Sequence, residues 1–240
     1  MRAVEQALAA SLCGAVALGC HEATVPVASS ARWTSLSVDG GHTCGLMSDR
    51  AAVCWGENNY GQLGDSSTTD RHAPVHVAGR LTFVSIVVGG AHTCGLTGTG
   101  AAYCWGRNDY GQLGDGLSAG ALVPVPVAGG HAFAVLAAGF FHTCGVTSAG
   151  VAWCWGANYA GQLGDSSTSG RLSPVAVAGG LTLASLSAGS DFTCGLTPSG
   201  TAYCWGGNAY GQLGVGDTIR AHLTPTSVQG KLTFRSLSMG

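Results

Sequence analysis

Three observations predict an all-β protein built from repeats. The sequence aligns with itself at a period of 50 residues, eight of its ten cysteines form four pairs of identical spacing, and 40 of its 240 residues are glycine while only 9% are charged. A fixed period of this length marks a chain of like supersecondary units. Glycine at that level demands many tight turns, and a chain this long can bury a sizeable core. The net charge of −2, with ten Lys and Arg scattered along the chain, supplies no basic stripe able to displace counterions from a phosphate backbone, so no nucleic-acid partner is expected.

Residues 1–19 read as a signal peptide. Arg2 is followed by an apolar run from Ala7 to Leu18 and by small residues before Cys20. That run is too short to span a membrane as a stable helix. Ala17-Leu18-Gly19-Cys20 resembles the bacterial lipobox, in which the cysteine receives a diacylglycerol before cleavage, although Ala17 stands where Leu is usual and Glu5 weakens the basic start. Plain cleavage after Ala15-Val16-Ala17 is the alternative, and it leaves Cys20 an unpaired thiol in an oxidising compartment. The preferred expectation is a lipoprotein with Cys20 as its lipidation site. Either route exports the mature chain, to the cell envelope on an N-terminal lipid that is its sole membrane contact, or to the outside as a secreted protein.

Residues 20–240 then divide into units of roughly 25–74, 75–124, 125–174 and 175–225, with a partial unit over 226–240. His-Thr-Cys-Gly-Leu starts at His42 and His92, with variants from His142 and Phe192; Cys-Trp-Gly starts at Cys54, Cys104, Cys154 and Cys204; Gly-Gln-Leu-Gly follows at Gly61, Gly111, Gly161 and Gly211. An insertion between Gly214 and Pro225 displaces the last partial copy, which ends on an expected strand from Phe234 to Met239. Taking the second unit as the example, four short strands are expected at 75–78, 83–88, 92–97 and 101–105. The last two form a hairpin whose three-residue loop ends in Gly100, Gly150 or Gly200, where positive φ is needed; Arg50 breaks that pattern in the first unit.

The hairpin register sets each cysteine opposite its mate, predicting disulfides Cys44-Cys54, Cys94-Cys104, Cys144-Cys154 and Cys194-Cys204. A zinc site is not expected, because each unit offers two ligands and the next pair is far along the chain. No cofactor loop, calcium loop or catalytic constellation is present, so no catalytic, cofactor or metal residue is assigned.

His42, His92 and His142 share one place in three units and Phe192 takes it in the fourth, which favours packing over chemistry. Gln62, Gln112, Gln162 and Gln212 read as turn formers, and Asp65, Asp115 and Asp165 as turn caps, with Val215 in the fourth place. Trp55, Trp105, Trp155 and Trp205 follow a cysteine and so face the opposite side of the strand, toward a neighbouring unit. Phe140, Phe141 and Trp153 occur in one unit only and are the candidate partner contacts.

The unit HTCGLT…AAYCWGRNDYGQLGDG…VPVPVAGG, recurring from Val25 to Gly240, closely resembles the regulator of chromosome condensation (RCC1-like) repeat, particularly its bacterial secreted, cysteine-containing type. The resemblance implies a β-propeller of four-stranded blades, of which about four and a half are present, leaving the ring incomplete or open. An open blade edge could serve self-association. It also implies a non-enzymatic protein-binding module acting at the envelope or outside, through loops that vary between units: Asp65 to His72, Asp115 to Leu122, Asp165 to Leu172 and Val215 to His222. The family's founding activity, guanine-nucleotide exchange, is the alternative, but four disulfides and an export signal oppose a cytoplasmic address. A secreted hydrolase is a further alternative that lacks a nucleophile.

Overall fold

The computed structural model describes residues 32–239. The signal segment, Cys13, Cys20 and the start of the first unit at Val25 lie outside the described residues. The described chain holds sixteen strands in four antiparallel sheets, each with its strands in sequence order. The first contains β1 (Trp33–Asp39), β2 (His42–Met47), β3 (Ala52–Gly56) and β4 (Arg71–His76). The second contains β5 (Ser85–Val88), β6 (His92–Leu96), β7 (Ala102–Gly106) and β8 (Ala121–Pro126). The third contains β9 (Phe133–Ala138), β10 (His142–Thr147), β11 (Ala152–Gly156) and β12 (Arg171–Ala176). The fourth contains β13 (Ser185–Ala188), β14 (Phe192–Leu196), β15 (Ala202–Gly207) and β16 (Ala221–Ser227).

β1, β5, β9 and β13 line one shared cavity of about 290 Å³, so the first strand of every sheet is innermost and the sheets are blades around a common axis. The four blades do not close into a ring. This is the expected all-β propeller architecture, incomplete within the described residues.

The sheet boundaries fall one strand out of phase with the sequence units. The strand expected at 75–78 as the opening of a unit runs instead from Arg71 to His76 and closes the blade before it, with Val75 opposite Cys54. A repeat has no intrinsic starting point, and the loop from Glu57 to Asp70 returns the chain to the hairpin it has just left. The expected strand from Phe234 to Met239 forms no ladder, since no described strand lies beside it; Leu237 and Met239 instead pack on the apolar cluster of the fourth blade.

Each core lies between blades rather than within one. Cys44, Leu46, Ala52, Cys54 and Leu63 of the first blade meet Phe83, Ile86, Val88 and Trp105 of the second. The same sets recur between the second and third blades and between the third and fourth. Strand alternation causes this: cysteines point to one side and the following tryptophan to the other, so a blade offers its disulfide forward and its tryptophan backward. The four disulfides join directly opposed residues with Cα atoms 4.1 Å apart. The first blade's backward side shows the rule by its absence, since Leu36 is 59% exposed whereas its counterparts Ile86, Leu136 and Leu186 are 6–8% exposed.

Blades are also joined through their hairpin turns. Gly100, Gly150 and Gly200 sit at φ of 84°, 81° and 83°, and each carbonyl accepts a backbone N–H from Phe133, Leu183 or Phe234 of the following unit. Arg50 does not change the turn: it adopts φ of 67°, donates its N–H to Met47 and accepts from Phe83 in the same way. The interblade bond holds the residue in a conformation that costs a side-chain-bearing residue ~1 kcal/mol or more. Arg50→Gly is therefore expected to raise stability by about 0.5–1 kcal/mol, after the added unfolded-state entropy of glycine. Gly100→Ala, whose Cβ would sit 2.9 Å from the Phe133 carbonyl oxygen, is expected to lower it by at least ~1 kcal/mol. Thermal unfolding of the two variants checks the pair of opposite signs.

Candidate functional site

The blade ends differ in chemistry. At one end lie the hairpin turns and the connections between blades. At the other, here the corner end, lie the β1–β2-type turns and the long β3–β4-type loops. Every variable loop and most of the exposed aromatic side chains among the described residues sit at the corner end.

A repeated relay of hydrogen bonds fixes the corner. The Nε2 atoms of His42, His92 and His142 each lie 2.8 Å from Oγ1 of Thr93, Thr143 and Thr193 in the next blade. Each threonine hydroxyl donates its one proton to the carbonyl of Gln62, Gln112 or Gln162, at 2.8–3.0 Å. It must then accept from histidine, so each ring is the Nε2–H tautomer. The same glutamine carbonyls accept from Nε1 of Trp105, Trp155 and Trp205 at 2.9–3.0 Å. The expected packing role of histidine and tryptophan is thus a polar bond across every blade junction. The glutamine side chains do form turns, accepting at Oε1 from the backbone N–H of Tyr60, Tyr110, Ala160 and Tyr210.

Each long loop is pinned from below by a buried asparagine that sequence reasoning passed over. Asn58, Asn108 and Asn158 donate from Nδ2 to Asp65, Asp115 and Asp165 and accept at Oδ1 from the leucine N–H of Gly-Gln-Leu-Gly. In the fourth blade Asp217 replaces the missing aspartate at 215 and bonds Asn208, Ile219 N–H and His222. Burial alone would raise Asp65 and Asp165, but hydrogen bonds from Ser67, Arg71 and Asn58, and from Ser167, Arg171 and Asn158, outweigh it and hold both carboxyls below their usual range.

On this rigid base stands a continuous row of aromatic and charged side chains. The Arg107 guanidinium lies 4.8 Å from the Tyr60 ring centre, 5.2 Å from Phe141 and 5.9 Å from Tyr110, within cation–π range of all three. Asp109 holds it at 2.6 Å. Phe141 meets Tyr110 at 4.9 Å with the rings tilted and Phe140 edge-to-face at 4.5 Å. Tyr159 continues the row, its phenol raised by burial and by the nearby Asp191 and Tyr110. Phe140, Tyr60, Tyr110 and Tyr159 remain 40–57% exposed, enough to form one amphipathic surface.

Of the sequence candidates, Phe140 and Phe141 belong to this row. Trp153 does not: it lies near the hairpin end of β11, half-buried, with His131 stacked at 3.9 Å. Arg107 and the tyrosines were legible only as members of Cys-Trp-Gly-x-Asn and Tyr-Gly-Gln-Leu-Gly, which read as framework. Among the described residues, no group of three or more His, Cys, Asp or Glu is placed to hold a metal ion. Among the same residues no helix is long and apolar enough to cross a membrane.

Profiles of the regulator of chromosome condensation (RCC1) repeat match residues 54–96, 99–146, 149–196 and 199–240, and a second RCC1 repeat profile matches 34–62, 83–112, 133–162 and 184–212. No curated protein matches by sequence. Among solved structures the chain is similar to yeast RCC1 (Prp20) bound to Kap60, with 22% identity, a TM-score of 0.75, and coverage of 86% of this chain and 51% of that one. Prp20p from Saccharomyces cerevisiae, described together with its binding properties to Gsp1p and histones, matches at 22% identity and a TM-score of 0.74, over 86% and 52% of the two chains. Human WBSCR16 matches at 23% identity and a TM-score of 0.73, over 82% and 52%. The chain spans about half the length of these structures.

Burial pushes His42 and His142 down to about 4, and burial with its two histidine neighbours pushes His92 down to about 3, from an ordinary 6.5. In the unfolded chain these rings take up protons near pH 6.5, so between there and pH 3–4 the unfolded state binds more protons and stability falls as the pH drops. The loss is on the order of 3–5 kcal/mol per histidine by the bottom of that window. His142→Phe, which copies Phe192, is expected to flatten the acid limb of a denaturation curve by about one proton while keeping the fold at neutral pH. An unchanged limb in that variant contradicts burial of His142 as a neutral ring.

Proposed function

Because the chain belongs to the regulator of chromosome condensation repeat family, whose blades it builds in order, we propose that it is a non-enzymatic protein-binding module that works through the corner end of its blades. The observation that carries this reading is the row from Tyr60 through Arg107, Tyr110 and Phe141 to Phe140. Tyrosine, phenylalanine and arginine, partly exposed on a rigid scaffold, are the residue types that dominate binding energy at protein interfaces. Their rotamers are restrained by mutual ring and cation–π contacts, so less entropy is lost on docking.

The four disulfides support an address in an oxidising compartment. Export, with a lipid on Cys20 tethering the module to the envelope, belongs to the same proposal. A guanine-nucleotide exchange role, the alternative raised by the family, would need a reducing compartment in which hairpin disulfides are rare.

Affinity capture from native envelope, with chemical crosslinking, tests the reading. A specific protein recovered by the wild-type chain should bind Phe141→Ala at least ~30-fold more weakly, as for an interface anchor worth about 2 kcal/mol. Trp153→Ala at the opposite end should bind within about twofold of wild type, because side chains outside an interface contribute little. A partner lost with Trp153→Ala and kept with Phe141→Ala, or substrate turnover in place of binding, would contradict it.

A further inference from the structure

The corner end contains a second regularity that the motifs conceal. In each blade, the residue before the histidine position and the residue after Cys-Trp-Gly are joined by one backbone hydrogen bond of 2.9 Å: Glu57 N–H to Gly41, Arg107 to Ala91, Ala157 to Phe141 and Gly207 to Asp191. The geometry is constant and the side chains are not. In every pair one member is large and the other is Gly or Ala: Gly41 with Glu57, Ala91 with Arg107, Phe141 with Ala157, Asp191 with Gly207.

Sterics account for the reciprocity. A Cβ on Gly41 would stand 3.0 Å from the Glu57 Cβ, and one on Gly207 would run into the Asp191 carboxylate. Each corner therefore has room for one long side chain, which the chain supplies from either strand. Framework positions repeat their residue; these positions repeat only their backbone bond, while their side chains read Glu, Arg, Phe, Asp around the axis. All four are half-buried at the stem, and none takes part in the relay that joins the blades.

The charges at these corners are unbalanced. Arg107 is already paired with Asp109, while among the described residues Glu57 bonds the neutral amide of Asn59, at 2.8 Å. Asp191, in the fourth blade, lies beside Tyr159. The row thus ends in a carboxylate on each side, with Phe141 and the exposed Phe140 between them.

We propose that these four corners form a recognition row, and that its partner is a protein segment carrying two cationic side chains on either side of an apolar one. The cations would meet Glu57 and Asp191 and stack on the adjoining tyrosines, and the apolar group would meet Phe141. This inference rests on the corner end being the binding surface and adds the partner's chemistry.

The test is selection of a displayed random peptide library against the full chain, followed by affinity measurement of the selected peptides. Lys or Arg should be enriched on both sides of an aromatic or aliphatic residue. Glu57→Gln with Asp191→Asn should weaken those peptides at least tenfold, and Phe141→Ala likewise, whereas Asp49→Asn in the opposite-end hairpin should leave them unchanged. The charge-reversed Glu57→Lys, Asp191→Lys chain should select acidic peptides, a gain that misfolding could not produce. Peptides lost with Phe141→Ala but neither basic nor sensitive to the carboxylate changes would overturn the cationic partner and leave the corner end as the binding surface. Peptides insensitive to every corner variant, or no selected peptide, would overturn both.

Discussion

The structure depends on one junction, repeated: histidine of one blade donates to threonine of the next, and that threonine shares a glutamine carbonyl with a tryptophan indole. These groups are fully buried, where an unmet donor or acceptor costs ~1–3 kcal/mol, so the register between blades is fixed to a single alignment. The apolar cluster beside it, a disulfide against Phe or Leu and Trp, supplies non-directional attraction that would otherwise tolerate sliding. Direction comes from the hydrogen bonds and magnitude from the burial.

That division explains why so few charged residues suffice. The blade has no self-contained core, and each sheet is stabilised by the neighbour packed on its side; among the described residues the second and third sheets are covered on both. The disulfides act locally, tying β2 to β3 and its equivalents across an 11-residue loop, worth ~2.5–3 kcal/mol each by restriction of the unfolded chain. They also present a compact, buried sulfur surface to the next blade. With the backbone held from within, the loops at the corner end are free to vary, and their side chains can be chosen for what they meet outside.

Much of this was legible in the sequence, and the failures have physical causes. Strand alternation and loop length placed Cys94 opposite Cys104 and turned Trp105 to the other side without further information. The phase of the blades was not legible, because a repeat read along the chain is cyclic and only the ladder between Cys54 and Val75 shows which hairpin the Pro-Val strand joins. Arg50 was expected to make its turn different or strained; the turn keeps its form at a strained backbone angle, held by the bond its carbonyl accepts from Phe83. Asn58 drew no reading from the sequence, yet its amide holds an entire loop. The candidate contacts Phe140 and Phe141 stood out because they occur once, whereas Arg107 was hidden inside a motif whose neighbours repeat, and its pairing with position 91 spans a hairpin.

The central claim, that a neutral histidine donating across each junction holds the blades in register, can be read directly from the imidazole nitrogens. In ¹⁵N NMR of the folded chain at neutral pH, His42, His92 and His142 should each show a protonated Nε2 with slow solvent exchange and an unprotonated Nδ1, unchanged down to about pH 5. Rings protonated at Nδ1, or titrating near the ordinary histidine value of 6.5, would contradict it.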